Sequence, residues 1–149
     1  MTNKPSPLDR QVGGTHYVSK VQHVTFCQQN RIPWCEAAAI KYIIRHRKKN
    51  GRQDIEKAIH YLELCIHEEY IRKDINPVGM HIPGFNVATS DFLQANGVET
   101  DSPEYRAVYT LLQHHTKHGE STLRDAIRLL EGMLKAYPET PKLEGMDLL

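Results

Sequence analysis

Several things are scarce in this sequence, and each scarcity removes a class of protein. Cysteine is limited to Cys27, Cys35 and Cys65. An odd count with no CxxC pair argues against both a disulfide framework and a structural zinc site. No apolar run approaches the roughly 18 residues needed to cross a bilayer. Met1 to Arg10 is polar and carries no apolar segment of signal-peptide type, so a cytoplasmic protein without a membrane partner is expected. An excess of charge of one sign is missing too: 19 Lys and Arg face 18 Asp and Glu, a formal net charge of +1. Bulk polyanion binding is therefore not expected, and any basic site must be local. The chain has no G-x-x-x-x-G-K-[ST], no G-x-G-x-x-G, no G-x-S-x-G and no Cys–His arrangement of nucleophile type.

What is present is ordinary globular composition, 149 residues with 40% hydrophobic and 25% charged, enough for one compact domain or two very small ones sharing a core. The strongest periodic signal runs from Trp34 to Lys49, where Ala37, Ile40, Ile43, Ile44 and Arg47 recur at helix spacing. Asn50-Gly51 supplies a left-handed closing residue, and Asp54 then opens a second helix with Ile55, Ala58, Ile59, Leu62 and Ile66 on one face. So short a turn makes the two helices antiparallel neighbours. A shorter helix is expected within Val18–Gln29, ended by Arg31-Ile32-Pro33. Trp34 and Phe26 read as core residues.

The pattern then starts again. Shifted by 68 positions, Glu36 to Glu63 falls on Glu104 to Glu131, with identities that include Ala39/Ala107, His46/His114, Lys49/Lys117, Gly51/Gly119, Ala58/Ala126 and Leu62/Leu130. Upstream, a shift of 66 aligns Phe26–Ile32 with Phe92–Val98, and two inserted residues near Asp101-Ser102 reconcile the offsets. The turn glycine, the lysine before it and the Phe-x-Gln-x-Asn are special positions, so the match exceeds what two arbitrary amphipathic hairpins would give. The expected fold is all-α: two tandem, diverged antiparallel helical hairpins packed into a small bundle, with an irregular N-terminal arm and a Pro/Gly-rich connecting loop. The organisation reads as a flexible arm (1–12), a first hairpin repeat (13–73), a linker or covering loop (74–90), a second, degenerate repeat (91–137) and a tail (138–149).

The copies differ where chemistry is concerned. Lys41, Arg45, Arg47, Lys57 and Tyr61 become Tyr109, Gln113, His115, Asp125 and Leu129. The second copy keeps the packing and loses the cations. Lys41, Arg45 and Lys48 are spaced to share one helix face, and Lys57 and Tyr61 stand four apart on the next helix. A strip of cations of this kind suits a polyphosphate; a solvated charged face is the other reading. Gly13-Gly14-Thr15-His16-Tyr17 is a second candidate. Paired glycines let backbone N–H groups converge on an anion, Thr15 adds a hydroxyl, His16 is able to contact phosphate or shuttle a proton, and Tyr17 to stack on a base. His114, His115 and His118 have partial metal-ligand spacing but no third ligand type beside them, so they read as the polar end of a surface helix.

The blocks V-G-G-T-H-Y, A-I-K-Y-I-I-R-H-R-K-K-N-G and D-I-E-K-A-I-H-Y-L-E resemble, over residues 11–70, a widespread small phage family catalogued mainly as a domain of unknown function. That family is distantly similar to a nucleotide kinase of a lytic coliphage that lacks a P-loop. The resemblance implies nucleotide binding in an infected bacterial host. It also implies phosphoryl transfer from Mg²⁺-ATP to a deoxynucleoside monophosphate, with His16, Tyr17, Lys41, Tyr42, Arg45, Asp54 and Lys57 at the shared positions. In that scheme Lys41, Arg45 and Lys57 hold phosphates and Asp54 orients Mg²⁺. Two other functions stay open: non-catalytic capture of a nucleotide or nucleotide signal, and a nucleic-acid accessory role, against which the near-zero net charge stands. A unit this small leaves limited room for donor and acceptor sites together, so a homo-oligomer is expected.

Overall fold

The computed structural model describes residues 6–9, 21–71, 89–113 and 119–138, without the side chains of 69–71. Among these residues the secondary structure is entirely helical. After a 3-10 turn at Pro7–Asp9 come α1 (His23–Gln29), α2 (Trp34–Arg45), a second 3-10 turn (His46–Lys48), α3 (Arg52–Ile71), α4 (Thr89–Ala95), α5 (Pro103–Gln113) and α6 (Glu120–Leu134). The N-terminal arm, Gly13–Tyr17, most of the Pro/Gly-rich loop and the three clustered histidines lie outside the described residues. Thr89 and Ser90, read from sequence as the end of that loop, instead open α4, with Asp91 in its first turn.

Helix α2 starts at Pro33, whose carbonyl accepts the first helical bond from Ala37 N–H at 2.9 Å. Three consecutive alanines, the best helix formers, then lead into Ile40 and Ile43. The turn that follows is closed by Gly51 at φ +53°, a conformation a Cβ would strain. Along α2 and α3 the facing partners are Arg45 with Asp54, Tyr42 with Tyr61, and Glu36 with Cys65. Chain positions rise on one helix as they fall on the other, so the helices run antiparallel. Helices α5 and α6 pack on each other, α3 packs on α6, and α2 on α5.

The four long helices enclose one core. Ala39, Ile40 and Ile43 of α2, Ile55, Ala58 and Leu62 of α3, Ala107, Val108 and Leu111 of α5, and Leu123, Ala126 and Leu130 of α6 are all fully buried. These are six pairs of positions related by the 68-residue shift. The correspondence extends to the backbone. Asn30 Nδ2 donates to the Phe26 carbonyl at 2.7 Å and Asn96 Nδ2 to that of Phe92 at 2.8 Å. Ile32 N–H meets the Cys27 carbonyl, and Val98 N–H the Leu93 carbonyl, each at 2.9 Å. Arg31 and Gly97 both have positive φ, as do Gly51 and Gly119. The inserted residues fall where Asp101 takes φ +63° and Ser102 caps α5, its Oγ accepting from Tyr105 N–H at 3.2 Å.

One expectation about the core is overturned. Phe26 is buried, but Trp34 is 75% exposed. It is the first residue of α2, and its indole lines the opening between α1 and α2 instead of entering the core.

Candidate functional site

The Tyr42 ring is the point on which the first-copy cations converge. Lys41 Nζ lies 4.6 Å from its centroid, Arg45 Cζ 4.6 Å and Lys57 Nζ 5.4 Å. Tyr61 stacks beside it, 5.8 Å between centroids at 15°. Two helices contribute: Lys41, Tyr42 and Arg45 occupy the last two turns of α2, while Lys57 and Tyr61 are one turn apart on α3. The antiparallel register brings them face to face. Each ring is half-buried, as is each lysine.

The three cations are not equivalent. Arg45 is buried and bonds Asp54 through two nitrogens, Nε to Oδ2 at 3.3 Å and Nη2 to Oδ1 at 3.1 Å. Asp54 is wholly buried and also accepts from Asn50 N–H at 3.2 Å. The pair therefore closes the α2–α3 turn, and Asp54 presents no exposed oxygen to a cation. Lys41 and Lys57 have no carboxylate within ion-pair distance among the described residues. Their positive charges, held near an electron-rich ring, repel one another, and a bound anion would relieve that repulsion.

Lys48 is not part of this cluster. Helix α2 tightens into a 3-10 turn after Arg45, the three-residue period replaces the 3.6-residue one, and Lys48 rotates towards Gly97 on the far side of the turn. There it lines a cleft of about 270 Å³ with Arg47, His46 and Glu104. Within that cleft His46 Nε2 meets Glu104 Oε1 at 2.7 Å, and its Nδ1 meets the Tyr137 hydroxyl. Arg47 Nε reaches Glu104 at 2.8 Å. The His46 hydrogen bond outweighs burial and holds the Glu104 carboxyl down at about 2. Arg52 adds a bond from Nη1 to the Leu134 carbonyl at 3.0 Å. These contacts lock the α2–α3 turn to the start of α5 and the end of α6, and they fix the base on which the Tyr42 cluster stands.

A second opening adjoins the cluster. A groove of about 410 Å³ between α1 and α2 is lined by His23, Val24, Cys27, Gln28, Ile32, Trp34, Ala37, Ala38 and Lys41. His23 Nε2 donates to the Ala37 carbonyl at 2.6 Å, and burial lowers the ring's pKa. Burial pushes the Cys27 thiol up to about 12, so it lines the groove as a neutral group.

Sequence reasoning placed Lys41, Arg45, Lys48, Lys57 and Tyr61 on one strip. The structure brings Lys41, Arg45, Lys57 and Tyr61 to one patch, turns Lys48 away towards Gly97, and buries Asp54 against Arg45 instead of leaving it to a metal. Tyr42 entered only through the resemblance, not as the ring on which the charges converge; the signal for that was there, because 42 and 61 are opposite positions in an antiparallel pair. Gly13, Gly14, Thr15, His16 and Tyr17 lie outside the described residues. No curated protein and no solved structure matches this chain. Residues 6–63, which contain α1, α2, the turn and the cation-bearing part of α3 but stop short of the second copy, match the model of a protein family of unknown function, DUF3310.

Proposed function

We propose that this chain is a nucleotide-binding protein of phage type. Its α2–α3 pair grips nucleotide phosphates, and the reaction it serves is phosphoryl transfer from ATP to a deoxynucleoside monophosphate. The observation that carries the binding is the convergence of Lys41 and Lys57, from different helices, on Tyr42 while the one carboxylate at the cluster neutralises only Arg45. Phosphoryl transfer asks a protein mainly for positioning and for neutralisation of charge on the transferred group, and two lysines backed by a rigid Arg45–Asp54 pair supply both. The kinase part of the reading rests on the resemblance of this family to the coliphage kinase at single positions, here Lys41, Tyr42, Arg45, Asp54 and Lys57.

One observation favours a second reading, capture of a nucleotide without chemistry. Asp54, the carboxylate that the kinase scheme gives to Mg²⁺, is buried with its oxygens directed at Arg45 and Asn50. The residues at the cluster do not fit a protein-held metal, and no step is assigned to one. Phosphorus NMR with Mg-ATP and the four deoxynucleoside monophosphates separates the two. Formation of ADP with a deoxynucleoside diphosphate supports the kinase. Unchanged reactants with shifted or broadened resonances support capture, and unperturbed resonances overturn nucleotide binding altogether.

A further inference from the structure

The geometry points to a nucleobase subsite in the groove between α1 and α2, with Trp34 as the stacking platform and Lys41 as the link to the phosphate cluster. The inference rests on the phosphate reading above and names the part of the ligand that reading leaves unplaced.

Lys41 belongs to both features: it lines the groove, and its ammonium group stands over Tyr42. Ala37 and Ala38 stand three and four residues after Trp34, and Lys41 four and three after them, so the four share one stripe along α2. From Trp34 to Lys41 the stripe is seven residues, about 10 Å of helix, with an aromatic face at one end and a cation at the other. A nucleotide has the same polarity, an apolar ring at one end and an anion at the other. Between the ends, Ala37 and Ala38 present small side chains, Ile32 forms an apolar wall, and exposed Gln28 offers both a donor and an acceptor to a base edge. A 75% exposed tryptophan beside an open apolar groove has no role in the core, whereas stacking on a base gives it one.

The second copy shows the same backbone without the groove chemistry. Ala37, Ala38 and Lys41 correspond to Tyr105, Arg106 and Tyr109, and Trp34 to Ser102. The Tyr105 and Tyr109 rings lie against each other, 4.7 Å between centroids. Bulky side chains thus stand where the first copy has alanine, and the platform is gone. The copy that lost the phosphate cations has also lost the base platform. The two losses coincide because they serve one ligand.

Trp34 is the only tryptophan, so its emission reports on this groove alone. The test titrates the full chain with deoxyribose 5-phosphate and with each of the four deoxynucleoside monophosphates, following Trp34 fluorescence and binding heat. At least one monophosphate should quench or shift the emission, while deoxyribose 5-phosphate binds and leaves it nearly unchanged. Trp34→Ala should weaken that monophosphate about tenfold without affecting deoxyribose 5-phosphate, and Trp34→Phe should restore most of the loss. If monophosphates bind in a Lys41-dependent manner, yet Trp34→Ala leaves every affinity unchanged, the base subsite is overturned and the phosphate site stands. If neither probe binds, both readings fall together.

Discussion

Phe26 and Phe92 occupy equivalent positions in the two halves of the chain, and their rings lie face to face, 4.1 Å between centroids and 1° from parallel. Each ring is almost completely buried. The short helices α1 and α4 touch through this pair, so the rings tie the periphery of one half directly to that of the other. Phe92→Ala opens a cavity at a contact both halves share and is expected to cost about 3–5 kcal/mol. Urea unfolding checks it, and the loss should appear in a single transition followed alike by circular dichroism and Trp34 emission. Two separated transitions in the wild-type chain would show that the halves fold independently.

Arg45 and Asp54 form a buried pair, and removing one partner strands the other's charge. Asp54→Asn or Arg45→Ala alone should therefore destabilise the fold by about 3–5 kcal/mol. The double change Arg45→Met with Asp54→Leu, which replaces both charges with apolar groups, should recover most of that stability. Thermal melting of the three variants provides the comparison. Equal losses in single and double variants would mean that the pair is not the origin of the effect.

Lys41 and Lys57 predict the opposite balance. Both are half-buried and without a carboxylate partner among the described residues, so Lys41→Ala and Lys57→Ala should leave the melting temperature within about 2 °C. Each should weaken nucleotide monophosphate binding roughly tenfold, the scale of one charge-assisted hydrogen bond to an anion. Calorimetry at low and high salt separates the terms, because the loss should shrink as salt screens the charge.

Arg31 sits at φ +50°, where its counterpart Gly97 sits at +77°. A side chain in the left-handed region costs roughly 1 kcal/mol or more, partly offset by the entropy glycine loses on folding. Arg31→Gly should stabilise the chain by about 0.5 kcal/mol, read as a higher urea midpoint at unchanged slope. A lower midpoint would show that the arginine side chain contributes more than its backbone costs.

The parts of this molecule legible in sequence were those written in periodicity and punctuation. Ile40, Ile43, Ile55 and Leu62 marked the inward faces, Gly51 marked the turn, and the paired cations of copy one marked the patch that the structure assembles at Tyr42. The parts that were not legible depend on which polar groups burial selects. Arg45 and Lys48 look alike in a helical-wheel reading; one is drawn inside by Asp54, and the other is turned away by a change from 3.6 to 3.0 residues per turn. Nothing in the spacing of His46, Glu104 and Tyr137, which are far apart in the chain, announces that they meet. Trp34 carries an apolar label that says nothing of its place at the very end of a helix.

Among the described residues, His23 and Glu104 tie stability to acid. Burial, with a smaller contribution from Lys41, holds the His23 pKa below its ordinary 6.5 against the opposing pull of the Ala37 carbonyl. Below 6.5 the unfolded chain takes up a proton that the folded chain refuses, so stability falls as the pH drops from there. Glu104 acts in a lower window. Its carboxyl, held at about 2 by His46 and then Arg47, compares with 4.5 in the unfolded chain. Its contribution is complete above 4.5 and disappears as the pH falls from 4.5 towards 2. Urea midpoints measured from pH 7.5 to pH 3 should therefore decline in two stages. His23→Gln should flatten the first stage and leave the second. Glu104→Gln should lower stability by about 2 kcal/mol at pH 7 and flatten only the second. A single decline that neither variant alters would place the acid sensitivity elsewhere in the molecule.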